Sequence, residues 1–478
     1  MFLPRPTGRI GLLMLAALLL LTAASSFFLP RSAGATAGDG TPGDPNIRYY
    51  GRWDTSAPTV YKSYYGGAYF KVNFTGTTVK IKLGGPVNLQ VSIDNGPDTA
   101  YPSANGTVNL TPTPLSGGVH TLRVATTYAQ YDVMSFQGLV LDAGATTVQP
   151  SVRPRLIEFV GDSITAAYQN TKGAVSGFAW LAAEAVNADH TQVAYPGVCL
   201  QNGIQCYSPN PVGMSSHYFK TKTVREATYG TVLPDWDFTT YTPDVVVINL
   251  GTNDRAFQVT DADFQATYSA FLQGIRAKLP DAAILVMRTF GGYKAAPTLA
   301  AVNDRIAAGD ANVHYVDTTG WLSGADFADG VHPSDAGHAK AAGLLAPILR
   351  AHLPENLALN KPATASSNAA YAGLSVDGKP WSRWGSAYAN NEWYKVDLGS
   401  VRTVSKAVID WEAAYDTAYS IQVSTDDSTY TTVYSTTSGG GGTETITFPP
   451  ASARYVKLLC TTRATPYGSS FWELELYE

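Results

Sequence analysis

The stretch that decides the fold is Arg155-Leu-Ile-Glu-Phe-Val-Gly-Asp-Ser163-Ile-Thr165, a short apolar run that ends in a Gly-Asp-Ser turn. Apolar runs without alternation predict strands that are covered on both faces of a parallel sheet. The glycine permits a tight turn, and the turn would expose the Ser163 hydroxyl beside backbone N–H groups that can face a developing oxyanion. This stretch therefore predicts an α/β sheet and a candidate nucleophile at the end of one strand.

A serine hydroxyl is a weak nucleophile unless a base accepts its proton. The sequence Asp329-Gly-Val-His332-Pro offers such a base far downstream. His332 is the candidate base, and Asp329 would fix its tautomer and stabilise the imidazolium. The other histidines lack the Asp-x-x-His-Pro setting, and we expect them to be structural or to lie outside the site.

Further apolar runs follow at Val245–Leu250 and Ala283–Met287, and helical patterns lie between them. Apolar residues at spacings of three and four predict a helix that ends at Pro280, and Ser334 can cap another that begins at Asp335. Strands that alternate with helices predict a parallel α/β sheet between residues 151 and 353, with ligands bound at the carboxyl ends of its strands.

The sequence on either side of this region has a period of two. From about residue 45 to 150, apolar and polar residues alternate in short stretches such as Phe70–Phe74 and Val79–Leu83, and turn residues separate them. The same alternation returns between residues 356 and 478. It predicts strands with one face on a core, so we expect a β-sandwich before the α/β domain and a second one after it.

The composition suits strand-rich extracellular modules. The chain has 478 residues, which is too long for one core and predicts about two to four domains. Only 15% of the residues are charged, the net charge is −5, and there is no basic run. Nucleic acid is therefore not an expected partner.

Residues 1–37 have the layout of a secretory signal peptide. Arg5 and Arg9 precede an apolar run from Ile10 to Leu21, and Ala35-Thr-Ala37 has the small residues of a cleavage site. An uncleaved anchor is the alternative, but the strongly apolar part is short for a bilayer span. We expect a secreted, extracellular protein that has no membrane contact after cleavage.

The three cysteines are Cys199, Cys206 and Cys460. The first two are near enough in sequence to close a small disulfide in an oxidising compartment, although their spacing alone does not show whether they are bonded. Cys460 follows an apolar run and is expected to be a buried thiol. No cysteine or histidine has the spacing of a zinc site.

Four short blocks give the α/β region a family resemblance, and they are Gly161–Thr165, Gly197, Gly251–Asp254 and Asp329–Pro333. Their order and residue types resemble the four sequence blocks of SGNH (GDSL) hydrolases. The resemblance implies a flavodoxin-like, three-layer α/β domain in which Ser163 is the nucleophile, His332 the base and Asp329 its orienting acid. It also implies an oxyanion hole formed by the N–H groups of Ser163 and Gly197 and the side-chain amide of Asn253.

A β-sandwich directly before an SGNH domain is similar to the two-domain carbohydrate esterases of family 2, whose N-terminal domain is a jelly roll. Gly51-Arg-Trp53 and Tyr69–Leu83 carry this resemblance. It implies a carbohydrate O-acetylesterase, like acetyl xylan esterases, that deacetylates plant polysaccharides such as xylan or mannan without a catalytic cofactor. The alternatives are a general short-chain esterase or lipase of the SGNH superfamily, and a non-catalytic glycan-binding protein.

The C-terminal region resembles an F5/8 type C, or discoidin, domain, which corresponds to carbohydrate-binding module family 32. Asn356–Pro362, Ser382–Trp384, Trp393–Gly399 and Phe471–Glu473 carry the resemblance. It implies a β-sandwich that binds sugar and that is stiffened by a structural calcium ion.

Two sets of candidate site residues follow for the C-terminal domain. The carboxylates of Asp377 and Glu473 are hard oxygen ligands, and backbone carbonyls near Lys379 and Ser382 would complete a calcium shell. The candidate sugar platform combines aromatic faces and donors from Trp411, Tyr415, Arg463 and Tyr467.

Overall fold

The computed structural model describes residues 36–128, 132–153, 155–226, 232–379 and 381–478, so almost all of the predicted signal peptide lies outside the described residues. Three sheets follow one another along the chain in the predicted order. In the described part, no helix is long and apolar enough to cross a membrane.

The N-terminal domain is an antiparallel β domain. Its strands are β1 (Arg48–Tyr50), β2 (Trp53–Ala57), β3 (Val60–Ser63), β4 (Tyr69–Thr75), β5 (Val79–Ile93), β6 (Thr99–Asn109), β7 (Val119–Thr126), β8 (Met134–Leu141) and β9 (Thr147–Val148). The long strand β5 pairs with β8 through its first residues and with β7 through its last. The inward positions of β4 and β5 enclose the domain's apolar core, as their alternation predicts.

The central domain has a five-stranded parallel sheet. Its strands are β10 (Leu156–Gly161), β11 (Asp189–Ala194), β12 (Val245–Asn249), β13 (Ala283–Met287) and β14 (Val313–Val316). They lie in the order β11-β10-β12-β13-β14, which is the flavodoxin-like order 2-1-3-4-5. The predicted parallel α/β fold is confirmed.

Helices cover both faces of this sheet. They are α1 (Phe178–Ala185), α2 (Met214–His217), α3 (Thr252–Ala256), α4 (Asp261–Lys278), α5 (Ala295–Ala307) and α6 (Asp335–His352). Helices α4 and α5 pack on one face and α1 and α6 on the other. The predicted caps are present, since Ser334 Oγ accepts the N–H of Gly337 at 3.2 Å and α4 ends before Pro280.

The C-terminal domain is an antiparallel β-sandwich with its own aromatic core. Its strands are β15 (Ala363–Ala365), β16 (Trp384–Gly385), β17 (Glu392–Trp411), β18 (Asp416–Ser424), β19 (Thr431–Thr436), β20 (Thr443–Arg463) and β21 (Ser470–Tyr477). They lie in the order β16-β21-β17-β20-β18-β19, and β15 pairs with β17.

The N-terminal domain inserts a charged side chain into the central domain. Arg52 is fully buried, its guanidinium donates to the carbonyl of Lys220 at 2.8 Å, and it lies 3.8 Å from the Glu158 carboxylate on β10. At the edge of the same contact, Lys71 pairs with Asp189 at 2.6 Å. A buried ion pair that spans two domains fixes their relative position, because breaking it leaves an unpaired charge.

The C-terminal domain contacts the opposite end of the sheet from Ser163. The N–H of Val152, just before β10, donates to Thr443 Oγ1 at 3.0 Å. Asp244, just before β12, lies near the Lys406 ammonium of β17. Ser163 follows the carboxyl end of β10, so the C-terminal domain lies away from the candidate nucleophile.

Candidate active site

The nucleophile turn needs glycine at position 161. A Cβ there would lie 2.0 Å from Thr165 Oγ1 and 2.8 Å from the Asn249 carbonyl oxygen, so no other residue fits. Asp162 braces the turn, because its Oδ1 accepts the N–H of Ile164 at 3.0 Å. Burial raises the pKa of Asp162 to about 7, and the nearby Asp254 carboxylate adds to this shift.

The predicted triad is assembled. Ser163 Oγ lies 2.8 Å from His332 Nε2, and His332 Nδ1 lies 2.7 Å from Asp329 Oδ2. With Asp329 ionised, Nδ1 carries the proton and Nε2 is free to accept the proton of the serine hydroxyl. Ser163 and His332 are 169 positions apart in the sequence, yet with Asp329 they form one hydrogen-bonded series of nucleophile, base and acid.

Asp329 is held in its charged form. Its Oδ1 accepts the backbone N–H groups of Val331 at 3.0 Å and His332 at 2.8 Å. Partial burial raises the pKa of this carboxyl, but hydrogen bonds from His332 and Val331 outweigh burial and lower the pKa to about 2. Gly330 takes the left-handed conformation, with φ of 84°, that lets the chain turn back within this short motif.

His338, which also follows an aspartate by three residues, is structural as predicted. Its Nδ1 accepts the N–H of Phe178 at 3.0 Å, and its ring stacks on Phe178. Burial lowers the pKa of His338 to about 4. This imidazole is therefore committed to the packing of α1 against α6.

The three predicted oxyanion donors line the same cleft as the triad. The N–H groups of Ser163 and Gly197 make no hydrogen bond to the rest of the described chain. Asn253 Nδ2 donates one hydrogen to the Val198 carbonyl oxygen at 2.9 Å, which leaves its second hydrogen for a ligand. Free donors that converge beside a nucleophile are the requirement for stabilising a tetrahedral oxyanion.

The cleft has a volume of 660 Å³, and aromatic and polar side chains form its walls. Tyr168, Tyr207, Tyr293 and Arg255 are wall residues that the sequence analysis did not identify. Tyr207 is 73% exposed and packs edge-on against Phe257. The signal that would have found it is its position directly after Cys206, because the disulfide fixes this loop near Gly197.

Two of the three cysteines are bonded to each other, which the sequence analysis left open. Cys199 and Cys206 form a disulfide, with their Cα atoms 6.1 Å apart. Cys460 is a buried free thiol, as predicted.

The predicted sugar platform of the C-terminal domain is wrong in part. Trp411 is only 3% exposed and packs in the core against Tyr419 and Phe471, so its ring cannot stack on a sugar. Tyr415 is half-buried, and Gly441 lies against its ring. An aromatic residue in a strand fits the core as well as the surface, and its exposure depends on which face of the sheet it occupies.

The other two members of that set do lie together at the surface. Tyr467 is 61% exposed and packs edge-on against Tyr388, at 5.8 Å between ring centroids. Arg463 donates to the Tyr467 carbonyl oxygen at 2.9 Å and to Asn390 Oδ1 at 3.0 Å. Tyr388 is the partner that sequence reasoning missed.

The predicted cation ligands also converge. Asp377 Oδ1 and Glu473 Oε1 both accept the N–H of Lys379 at 3.0 Å, and Ser382 Oγ donates to Asp377 at 2.9 Å. Glu473 Oε2 is buried without a hydrogen-bond partner in the described chain. Burial, followed by repulsion from Glu475 and Asp377, raises the pKa of Glu473 to about 8. Carboxylates are hard oxygen ligands of the kind that calcium takes. The Lys379 ammonium also lies 3.4 Å from Asp377 Oδ2, and the described residues hold no group of three or more His, Cys, Asp or Glu side chains that could bind a metal ion.

Comparison with known protein families agrees with this architecture. Residues 49–150 match the carbohydrate esterase 2 N-terminal domain, residues 159–340 match the GDSL-like lipase/acylhydrolase family, and residues 374–458 match the NedA-like, galactose-binding F5/8 type C domain. The three matched regions follow one another along the chain and correspond to its N-terminal, central and C-terminal domains. The central domain is thus similar to GDSL-like lipases and acylhydrolases.

Individual relatives are similar to this chain over about three fifths of its length. The chain is 29% identical over 318 residues to the cellulase/esterase CelE of Acetivibrio thermocellus, which is 62% of this chain and 38% of CelE. It is 25% identical over 313 residues to the acetylxylan esterase / glucomannan deacetylase of Cellvibrio japonicus, which is 60% of this chain and 81% of that protein. This chain thus spans well under two thirds of CelE.

One solved structure is similar to this chain over nearly its own full length. It is a family two carbohydrate esterase from Clostridium thermocellum in complex with cellohexaose, with a TM-score of 0.56 and 28% identity. The match covers 64% of this chain and 98% of that one.

Proposed function

We propose that this protein is a secreted carbohydrate O-acetylesterase that removes acetyl groups from plant polysaccharides of the xylan or mannan type. The observation that carries the proposal is the hydrogen-bonded series Ser163–His332–Asp329, which lies in an open cleft beside three free donors. The residues that line the cleft all come from the central domain. Relatives named as esterases are similar to this chain over 62% and 60% of its length.

The geometry supports acyl transfer in two halves. Ser163 Oγ attacks the acetyl carbonyl carbon while His332 Nε2 takes its proton, and the resulting oxyanion faces the N–H groups of Ser163 and Gly197 and the amide of Asn253. His332 then returns the proton to the departing sugar oxygen, which leaves an acetyl-serine. Water, deprotonated by His332, attacks that ester, and collapse of the second tetrahedral intermediate releases acetate and restores the serine.

The cleft favours a sugar over a long acyl chain. Exposed Tyr207 at its rim, with Tyr168 and Tyr293 in its walls, offers aromatic faces and hydroxyls that suit the faces and hydroxyl groups of a pyranose ring. A lipase of the same class needs instead a long apolar channel for its acyl chain.

Acetate release from acetylated xylan and acetylated glucomannan tests the proposal. We expect release by the wild-type protein and a loss of at least about 10⁴-fold in the Ser163→Ala variant, because the nucleophile is gone. Equal release by both proteins would refute the catalytic role. A preference for p-nitrophenyl esters with chains longer than about eight carbons would favour the lipase alternative, and glycan binding without any turnover would favour the non-catalytic one.

The C-terminal domain is proposed to hold the enzyme on its insoluble substrate. Its sugar surface would consist of Tyr388 and Tyr467, with Arg463 as a donor, in place of the buried Trp411. Asp377 and Glu473 would hold a structural calcium ion, to which the carbonyl oxygen of Lys379 would add a neutral ligand. Secretion is proposed from the signal-like layout of residues 1–37, and sequencing of the mature N-terminus tests it, where a start after Ala37 is expected.

A further inference from the structure

The oxyanion glycine belongs to a short loop whose two ends meet. The loop runs from Gly197 to Ser208, and the N–H of Ser208 donates to the Gly197 carbonyl oxygen at 3.1 Å. Gly197 has a φ of 81°, and a Cβ there would lie 2.7 Å from the backbone carbon of Tyr207. The direction of the Gly197 N–H therefore depends on where this loop is held.

The side chain of Asp254, on helix α3, holds this loop in place. Its Oδ2 accepts the N–H of Leu200 at 2.9 Å, and its Oδ1 accepts the N–H of Gln201 at 3.0 Å. The preceding residue, Asn253, donates to the Val198 carbonyl oxygen. Two adjacent side chains of α3 thus fasten three loop residues, and the bonds to the carboxylate are charge-assisted.

The Cys199–Cys206 disulfide closes the same loop from within. Asp254 itself is fully buried and is not part of the cleft wall, so its carboxylate does not reach a substrate. Its contacts lead to the loop that carries one oxyanion donor, and its chain neighbour carries another.

We propose that Asp254 is a positioning residue for the oxyanion hole and that, together with the Cys199–Cys206 disulfide, it fixes the N–H of Gly197 before the substrate binds. Preorganised donors stabilise the transition state more than the ground state, so loosening the loop lowers kcat and leaves KM nearly unchanged. The inference rests on the serine esterase chemistry proposed above but not on the identity of the glycan.

The decisive variant is Asp254→Asn. Asparagine keeps the shape but replaces one acceptor oxygen with an NH₂ group, which would face a backbone N–H. We expect kcat for p-nitrophenyl acetate to fall about 10- to 100-fold per active site, since a lost oxyanion donor costs about 10²–10³. KM should stay within about threefold, and a boronic acid, which forms a tetrahedral adduct with the serine, should bind more weakly by the same factor as kcat falls.

Titration of Ser163 with a fluorophosphonate separates positioning from mere stability, because it counts the active sites. The matched control is Asp281→Asn, which changes an exposed aspartate whose side chain makes no hydrogen bond or ion pair in the described chain, since only its backbone carbonyl accepts a hydrogen bond. If Asp254→Asn reduces the number of sites but keeps kcat per site and boronic acid affinity, the positioning role is overturned.

A second variant tests the same proposal if Asp254→Asn does not fold. Cys199→Ser/Cys206→Ser should show the same pattern with a smaller loss of kcat, about 3- to 10-fold, and unchanged kcat per site would contradict the proposal. Because p-nitrophenyl acetate needs no glycan recognition, failure on acetylated xylan alone would count against the proposed substrate and not against this inference.

Discussion

The central and C-terminal domains both carry short motifs that predict a binding site, but the structure brings all of the predicted residues together only in the central domain. In the central domain, all five predicted residues line one cleft, and they are Ser163, Gly197, Asn253, Asp329 and His332. In the C-terminal domain, Tyr467 and Arg463 lie together at the surface, whereas Trp411 is in the core.

The difference follows from where the residues lie on their elements. Residues that follow strands of a parallel sheet meet at one edge, because all the strands end there. Trp411 is the last residue of a long antiparallel strand, where neighbouring positions point to opposite faces. A polar motif that follows a strand of a parallel sheet therefore predicts a site. An aromatic residue in an antiparallel sandwich strand does not predict one by itself.

Among these predictions, the largest expected effect is the loss of kcat when the triad of the central domain is disrupted. Asp329→Asn removes the acceptor that fixes the His332 tautomer, and we expect kcat to fall about 10³- to 10⁴-fold while the serine remains in place. Steady-state kinetics on p-nitrophenyl acetate measure this, with Asp281→Asn as the matched control. A loss smaller than about tenfold would mean that Ser163 and His332 work as a dyad.

The lowered pKa of Asp329 determines the pH range in which the wild-type protein has this carboxylate ionised. A carboxyl whose pKa is lowered in the folded state contributes stability that is fully present above its ordinary value near 4 and is lost as the pH falls towards 2. Between about pH 5 and 8, Asp329 therefore stays ionised, and its protonation should not contribute to the pH dependence of kcat in the wild-type protein.

Two variants test whether Trp411 or Tyr467 of the C-terminal domain contributes to sugar binding. Trp411→Ala should destabilise this domain by about 3–5 kcal/mol, because a buried ring leaves a cavity. Tyr467→Ala should change stability by less than about 0.5 kcal/mol but weaken binding to insoluble glycan. Thermal unfolding and pull-down on acetylated xylan measure the two effects, and the opposite pattern would restore Trp411 as the platform.

The last prediction concerns the cation site of the C-terminal domain. The pKa of Glu473 is raised from an ordinary value of 4.5 to about 8 in the folded state, so its protonated form stabilises the fold fully below pH 4.5, and this contribution is lost as the pH rises through 8. Without calcium, the C-terminal domain should thus be less stable at pH 8 than at pH 6.

Calcium should reverse that loss, because the ion compensates the charges of Asp377 and Glu473. Glu473→Gln should abolish both the pH dependence and the calcium response. Melting curves at the two pH values, with calcium or with a chelator, measure this, and an identical melting temperature with and without calcium would argue against the ion.

Much of the fold was predictable from periodicity. Continuous apolar runs such as Val245–Leu250 became buried parallel strands, and alternating stretches such as Val79–Leu83 became half-buried antiparallel ones. The wall residues Tyr168 and Tyr207 could not be found this way, because each lies in an irregular loop whose path depends on contacts with distant residues.

The sequence by itself determined the three-domain order, the nucleophile turn and the Asp-x-x-His motif, because period, turn chemistry and local hydrogen bonding depend on neighbouring residues. Only the tertiary structure decided that Ser163 Oγ meets His332 Nε2, that Asp254 reaches the Gly197 loop and that Trp411 is buried. These contacts join residues far apart in the chain, and their geometry depends on how the sheets and helices pack against one another.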